Sequence, residues 1–220
     1  MALEVIDFET APNPTASIII LHGLGADGND FVPVASELAL QSVGPVRFVF
    51  PHGPTRPVTI NGGYVMRAWY DILGTDLAQR EDEAGLRESQ VLVEGLLARE
   101  KARGIQASRI VLAGFSQGCA MTFMTGLRHG ERLAGLLGMS GYLPLAAKTA
   151  TERNAANAYV PIFQAHGTAD MVIPLARAVA SRNALVALGY TVEWHQYPMQ
   201  HSVCPQEIGD MNRWLLRVLG

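Results

Sequence analysis

A chain of 220 residues, 49% of them hydrophobic, is long enough to bury a full core as a single domain over residues 1–220, and no Pro/Ser-rich linker, repeat or low-complexity tract divides it. Its 17 basic and 20 acidic residues leave a net charge of −3 with the signs interspersed, which argues against nucleic acid or an anionic membrane surface as a partner. The segment Met1 to Asp7 lacks the basic start and apolar core of a signal peptide, and no apolar run is long enough to span a bilayer; the expectation is a cytoplasmic protein without stable membrane insertion.

In chain order, a weakly signalled edge strand falls near Glu4 to Phe8, and Ser17 to Leu21 is a continuous apolar, β-branched run of the kind found in central parallel strands. His22-Gly23-Leu24-Gly25-Ala26-Asp27-Gly28 follows it as a Gly-rich loop, with His22 read as a structural hydrogen-bonding residue. A helix is predicted over Asp30 to Leu40, then a strand over Val46 to Phe50. The stretch Pro51 to Asp76 is too long and mixed for a plain connection and reads as a functional loop. A helix from Glu81 to Arg103 leads to a strand over Arg109 to Ala113, and Gly114-Phe115-Ser116-Gln117-Gly118 then turns into a further helix. Beyond it come a strand (Leu133 to Met139), a polar excursion, a strand (Val160 to Ala165), a helix (Pro174 to Leu188), a strand (Thr191 to Tyr197) and a last helix (Pro205 to Leu219). Strands alternating with helices predict an α/β fold with a mainly parallel central sheet covered by helices on both faces and no large lid domain.

A serine between glycines at i−2 and i+2, after a strand and before a helix, has the form of a nucleophile elbow. The turn holds Ser116 in a strained backbone conformation, and the helix behind it aims free N–H groups and the positive dipole end at any oxyanion formed there. On such an elbow the acid and then the histidine follow the serine along the chain. Between Ser116 and the last histidine the acidic residues are Glu131, Glu152, Asp170 and Glu193. The first two read as solvated surface charges, and Glu193 alternates with apolar neighbours along a strand. Asp170 ends a buried-strand pattern, where open α/β sheets gather their reactive groups; the plainer reading is an aspartate capping its own loop. Of the two histidines that follow, His195 sits inside a strand, whereas His201 lies in a loop beyond that strand's end, from which an imidazole can reach the elbow. Ser116 is therefore expected as nucleophile, His201 as general base and Asp170 as the group that orients it. The backbone N–H groups of Leu24 and Gln117 are the expected oxyanion donors. Trp69, Tyr70 and Leu143 are expected to wall the acyl chain, the alternative being that Trp69 and Tyr70 pack the sheet edge.

With these motifs in place, the chain resembles the phospholipase/carboxylesterase family of small α/β-hydrolases, which includes acyl-protein thioesterases and bacterial carboxylesterases. The resemblance is carried by His22-Gly23-Leu24-Gly25, Pro51 with Pro54, Trp69-Tyr70-Asp71, the elbow pentapeptide, Ser140-Gly141-Tyr142-Leu143-Pro144, His166-Gly167-Thr168-Ala169-Asp170 and His201-Ser202-Val203, in one order along the chain. It implies an α/β-hydrolase fold and hydrolysis of carboxylic esters, acyl thioesters or lysophospholipids through an acyl-enzyme. Cys119 departs from the pattern where a third glycine is more common, which alters packing of the elbow helix. Cys119 and Cys204, placed in different predicted helices, are expected as reduced thiols. No Cys-x-x-Cys or His-Glu-x-x-His spacing occurs, so no metal or cofactor is expected. The expected partner is a small-molecule ester or acylated substrate, with room left for a homodimer. A peptidase or lactone hydrolase would use the same three residues, and a non-catalytic binder of a hydrophobic ligand is the competing class.

Overall fold

The computed structural model describes residues 3–74 and 81–220 and is organised around Ala16–Leu21 (β2), buried at every position as its unbroken apolar run requires. On one side β2 pairs in parallel with Val46–Pro51 (β3), against which Val5–Glu9 (β1) lies antiparallel. On the other side come Ile110–Phe115 (β6), Gly135–Met139 (β7), Ile162–Gly167 (β8) and Val192–Tyr197 (β9), all parallel. The seven strands run in the order β1-β3-β2-β6-β7-β8-β9. The inner strands are buried almost throughout, while β1 and β9 at the edges carry half-exposed and charged side chains that discourage pairing with another sheet.

Helices cover both faces. Glu83–Ala102 (α2), Gln117–Gly126 (α3) and Leu175–Ala187 (α5) contribute to one core, with Leu86, Leu97, Phe123 and Leu185 among its buried residues. Val32–Glu37 (α1) and Pro205–Leu219 (α6) contribute to the other, with Ala35, Met211, Trp214 and Leu215. No inserted lid stands over the sheet among the described residues.

Three elements differ from expectation. The helix expected over Asp30 to Leu40 is a short 3-10 turn, Gly28–Phe31, followed by α1, which ends at Glu37. Leu38 is extended there, and Leu38 and Leu40 both enter the core from a non-helical segment. The Pro51 to Asp76 loop contains a hairpin of Thr55–Val58 (β4) and Tyr64–Arg67 (β5), closed through Gly62 and Gly63, both at positive φ. Its strand sequences, Thr-Arg-Pro-Val and Tyr-Val-Met-Arg, lack the apolar/polar alternation that marks a half-buried strand. Thr75 and Asp76, at the end of that expected loop, lie outside the described residues. The polar excursion forms a seven-residue helix, Ala146–Glu152 (α4). Cys204 caps the start of α6 instead of lying within a helix.

Candidate active site

The strand ends converge at one edge of the sheet. β6 delivers Ser116, which caps α3 with φ 56° and ψ −115°, a conformation costly for any residue with a side chain. The flanking glycines make this crossing sterically possible. A Cβ on Gly114 would lie 2.2 Å from the Gly118 carbonyl oxygen, and one on Gly118 would lie 2.0 Å from that of Leu21. Cys119, one residue on, fills the space against Gly138 and Gly141, and burial pushes its thiol far above the ordinary range, which suits packing and not nucleophilic chemistry.

Asp170 follows β8 and is buried. One carboxylate oxygen accepts from the backbone N–H of Val172 (2.8 Å) and Ile173 (2.9 Å); the other accepts from His201 Nδ1 at 2.7 Å. The residue thus caps its own loop and orients the imidazole at once. His201, on the loop between β9 and α6, packs its ring on Phe115, the residue before the elbow serine, with centroids 4.7 Å apart. His166 lies behind, donating from Nε2 to the Ile173 carbonyl with Asp170 3.4 Å away; burial lowers its pKa and keeps it neutral. His195 stays on β9 and pairs with Glu193. Glu131 is an exposed partner of Lys101, but Glu152 is no free surface charge: Arg87 and Arg128 clamp it, and their hydrogen bonds lower its pKa to about 2.

The loop after β2 is fixed from three sides. His22 Nδ1 meets the Gly23 carbonyl (2.7 Å), its Nε2 accepts from Gly53 N–H (2.8 Å), and Trp69 Nε1 donates to the His22 carbonyl (2.9 Å). Burial lowers the His22 pKa, so the ring serves as a neutral bridge. Gly25 N–H donates to the Arg67 carbonyl, tying the loop to β5. Among the described residues, the N–H groups of Leu24 and Gln117 donate to no protein acceptor. Both residues line one cavity with Ser116, of about 460 Å³, together with Ile60, Tyr70, Tyr142 and Ile173.

Two of the expected wall residues lie elsewhere. Trp69 is fully buried behind the loop, its N–H bonded to Gln117 Oε1 and its carbonyl to Ser89 Oγ. Leu143 lines a second cavity, because its N–H is drawn to Ser181 Oγ on α5. Tyr70 does face the first cavity, with its hydroxyl 2.8 Å from that of Tyr142. The side chain of Gln117 grips Trp69 N–H and the Tyr70 carbonyl. Tyr142 could have been found from its place in Ser140-Gly141-Tyr142, directly after β7.

No cluster of three or more His, Cys, Asp or Glu side chains suited to a metal ion occurs among the described residues. No helix of those residues is long and apolar enough to cross a membrane.

Residues 4–219 match the family model described as phospholipase/carboxylesterase. The chain is 39% identical over 206 residues to acyl-protein thioesterase 1 of Yarrowia lipolytica, covering 91% of both proteins. Among solved structures it is similar to Arabidopsis thaliana SOBER1, with a TM-score of 0.88, 28% identity and coverage of 93% of this chain and 99% of that one. Zea mays acyl-protein thioesterase 2 gives a TM-score of 0.83 at 27% identity, covering 98% and 99% of the two chains.

Proposed function

The chain belongs to the phospholipase/carboxylesterase family of α/β-hydrolases, and on that premise we propose that it cleaves carboxylic esters and acyl thioesters through a Ser116 acyl-enzyme. The observation that carries this reading is the hydrogen bond from His201 Nδ1 to Asp170, with the imidazole packed on Phe115, the residue before the strained elbow serine. With Nδ1–H committed to the carboxylate, Nε2 is the basic nitrogen left to take the Ser116 proton. The serine oxygen attacks the acyl carbon, the carbonyl oxygen becomes an oxyanion, and the N–H groups of Leu24 and Gln117 receive it. Each such donor is worth about 10²–10³-fold in turnover. The imidazolium returns the proton to the departing alcohol or thiol. Water then attacks the acyl-enzyme by the same route, releasing the acid and restoring Ser116.

The apolar residues around the serine suit an acyl chain of short to medium length. Met171 and Val172, between Asp170 and the cavity, present exposed apolar surface at its mouth. The test is hydrolysis of p-nitrophenyl butyrate, with covalent labelling by a serine-directed organophosphate. The expected result is turnover, label on Ser116, and loss of about 10⁴–10⁶-fold in Ser116→Ala, His201→Ala and Asp170→Ala, the losses failing to add in double variants because the three act as a unit. Turnover retained in Ser116→Ala refutes the assignment.

A further inference from the structure

The cavity that holds Ser116 has a neighbour. A second cavity of about 400 Å³ is lined by Glu81, Leu143, Leu145, Arg177, Ala180 and Ser181, and exposed Ala146, Ala147 and Ala180 set its outer edge at the surface. Two thin partitions separate them. Tyr142 lines the first and Arg177 the second, and the guanidinium stacks on the tyrosine ring 3.7 Å from its centroid. Likewise Ile72 lines the first and Glu81 the second, and these two residues pair in an isolated β-bridge.

The Tyr142–Arg177 stack is well braced. Tyr142 is buried and its hydroxyl is held by Tyr70, itself buried. Arg177 lies within 3.9 Å of Glu81, whose carboxylate accepts from Leu145 N–H. Leu145 is held at φ 47°, a left-handed conformation unfavourable for leucine, which fixes the turn that brings the following helix beside the second cavity. Cation–π contact adds attraction across the ring face.

We infer that the Tyr142–Arg177 stack is the end wall of the acyl pocket and limits chain length, and that the cavity behind it is a chamber the parent enzyme does not use. This inference rests on the proposed esterase reading of Ser116. While an acyl chain finds new apolar surface to bury, each methylene raises kcat/KM by about fourfold. At the wall the gain stops. Removing one slab of the stack joins the two chambers and gives a longer chain a path toward the surface.

The experiment is kcat/KM on p-nitrophenyl esters from acetate to laurate, for the parent, Tyr142→Ala, Tyr142→Phe, Arg177→Ala and Ala180→Phe, each with its thermal transition. The parent profile is expected to rise and then break. Tyr142→Ala and Arg177→Ala move the break to longer chains and raise the laurate-to-butyrate ratio by tenfold or more, about the gain from two further methylenes. Tyr142→Phe keeps the ring and leaves the break in place. Ala180→Phe narrows the second chamber and leaves the parent ratio in place. A break that stays put in whichever truncation variants fold overturns the wall. So does a shortened profile in Ala180→Phe, which needs no truncation and means the chamber is already in use. Absence of ester turnover or of label on Ser116 in the parent overturns the esterase reading itself, an outcome distinct from either.

Discussion

Glu207 lies outside the reaction path, yet the fold changes its chemistry. It occupies the first turn of α6 and is fully buried. Burial pushes its pKa from 4.5 up to about 8; the Cys204 N–H pulls the other way and the Asp210 carboxylate adds to the rise. The sign of the consequence follows from proton binding. Below the unfolded value both states hold the proton and folding costs nothing extra. As pH rises above it the unfolded chain ionises and the folded one does not, so stability falls steadily until the folded group ionises near pH 8. Each pH unit in that window is worth about 1.4 kcal/mol. Glu207→Gln removes this dependence, and its melting temperature relative to the parent is expected to climb between pH 5 and pH 8, by about 2–4 °C per kcal/mol. Parallel curves in a calorimetric pH series refute the buried neutral carboxyl. Nothing in Pro205-Gln206-Glu207 signals this, since the same letters describe an ordinary solvated glutamate in a helix's first turn. The strained turn at Ser116 and the contact of His201 with Asp170 were legible for the opposite reason. An elbow fixes the serine by local sterics, and chain order leaves few acids and bases to choose from.

At the level of elements, one side chain ties the elbow helix to the segment after the hairpin by hydrogen bonds at both ends of its amide. Gln117 Oε1 accepts from Trp69 N–H at 3.0 Å and its Nε2 donates to the Tyr70 carbonyl at 2.9 Å, satisfying two buried backbone groups that lie outside any sheet. Trp69 in turn holds the His22 carbonyl, so the same contact supports the loop that presents the Leu24 N–H. Gln117→Leu leaves both backbone groups unpaired, at a cost of about 1–3 kcal/mol each, and loosens that loop. The expected outcome is a lower denaturant midpoint together with a fall in kcat greater than any rise in KM. Gln117→Glu keeps the acceptor toward Trp69 but loses the donor toward Tyr70, and is expected to fall between. A normal kcat in a destabilised Gln117→Leu confines the side chain to a structural role. Sequence reading places backbone, not side chain, at this position because an amide's partners here come from a segment 47 and 48 residues away. The β4–β5 hairpin escapes because neither strand alternates apolar with polar residues, and hydrophobic period is the signal by which strands announce themselves.

Across the whole molecule, parallel pairing sorts the sheet into two ends with different work. The carboxyl ends of β2, β6, β7, β8 and β9 lead to the Gly-rich loop, Ser116, Tyr142, Asp170 and His201, as open α/β sheets arrange their sites. This polarity is readable from the alternation of strands and helices, because each parallel connection returns the chain to the same starting end. The opposite end is left to hold the layers together. There Trp214 of α6 covers the start of β7: a Cβ on Gly135 would lie 2.4 Å from its ring, and its ring stands 5.9 Å from that of Phe163 on β8. Trp214 is 3% exposed, so Trp214→Ala opens a large cavity in the α6 face and is expected to cost about 3–5 kcal/mol. That is a sizeable part of the roughly 5–15 kcal/mol available to a folded domain. Its effect on chemistry should be small, since no hydrogen bond of the site passes through it. Calorimetry should therefore show a lowered transition while kcat, measured well below that transition, stays within about threefold of the parent. A large loss of kcat in the folded variant means that the two ends of the sheet are mechanically coupled, and that α6 transmits its packing to the His201 loop from which it begins.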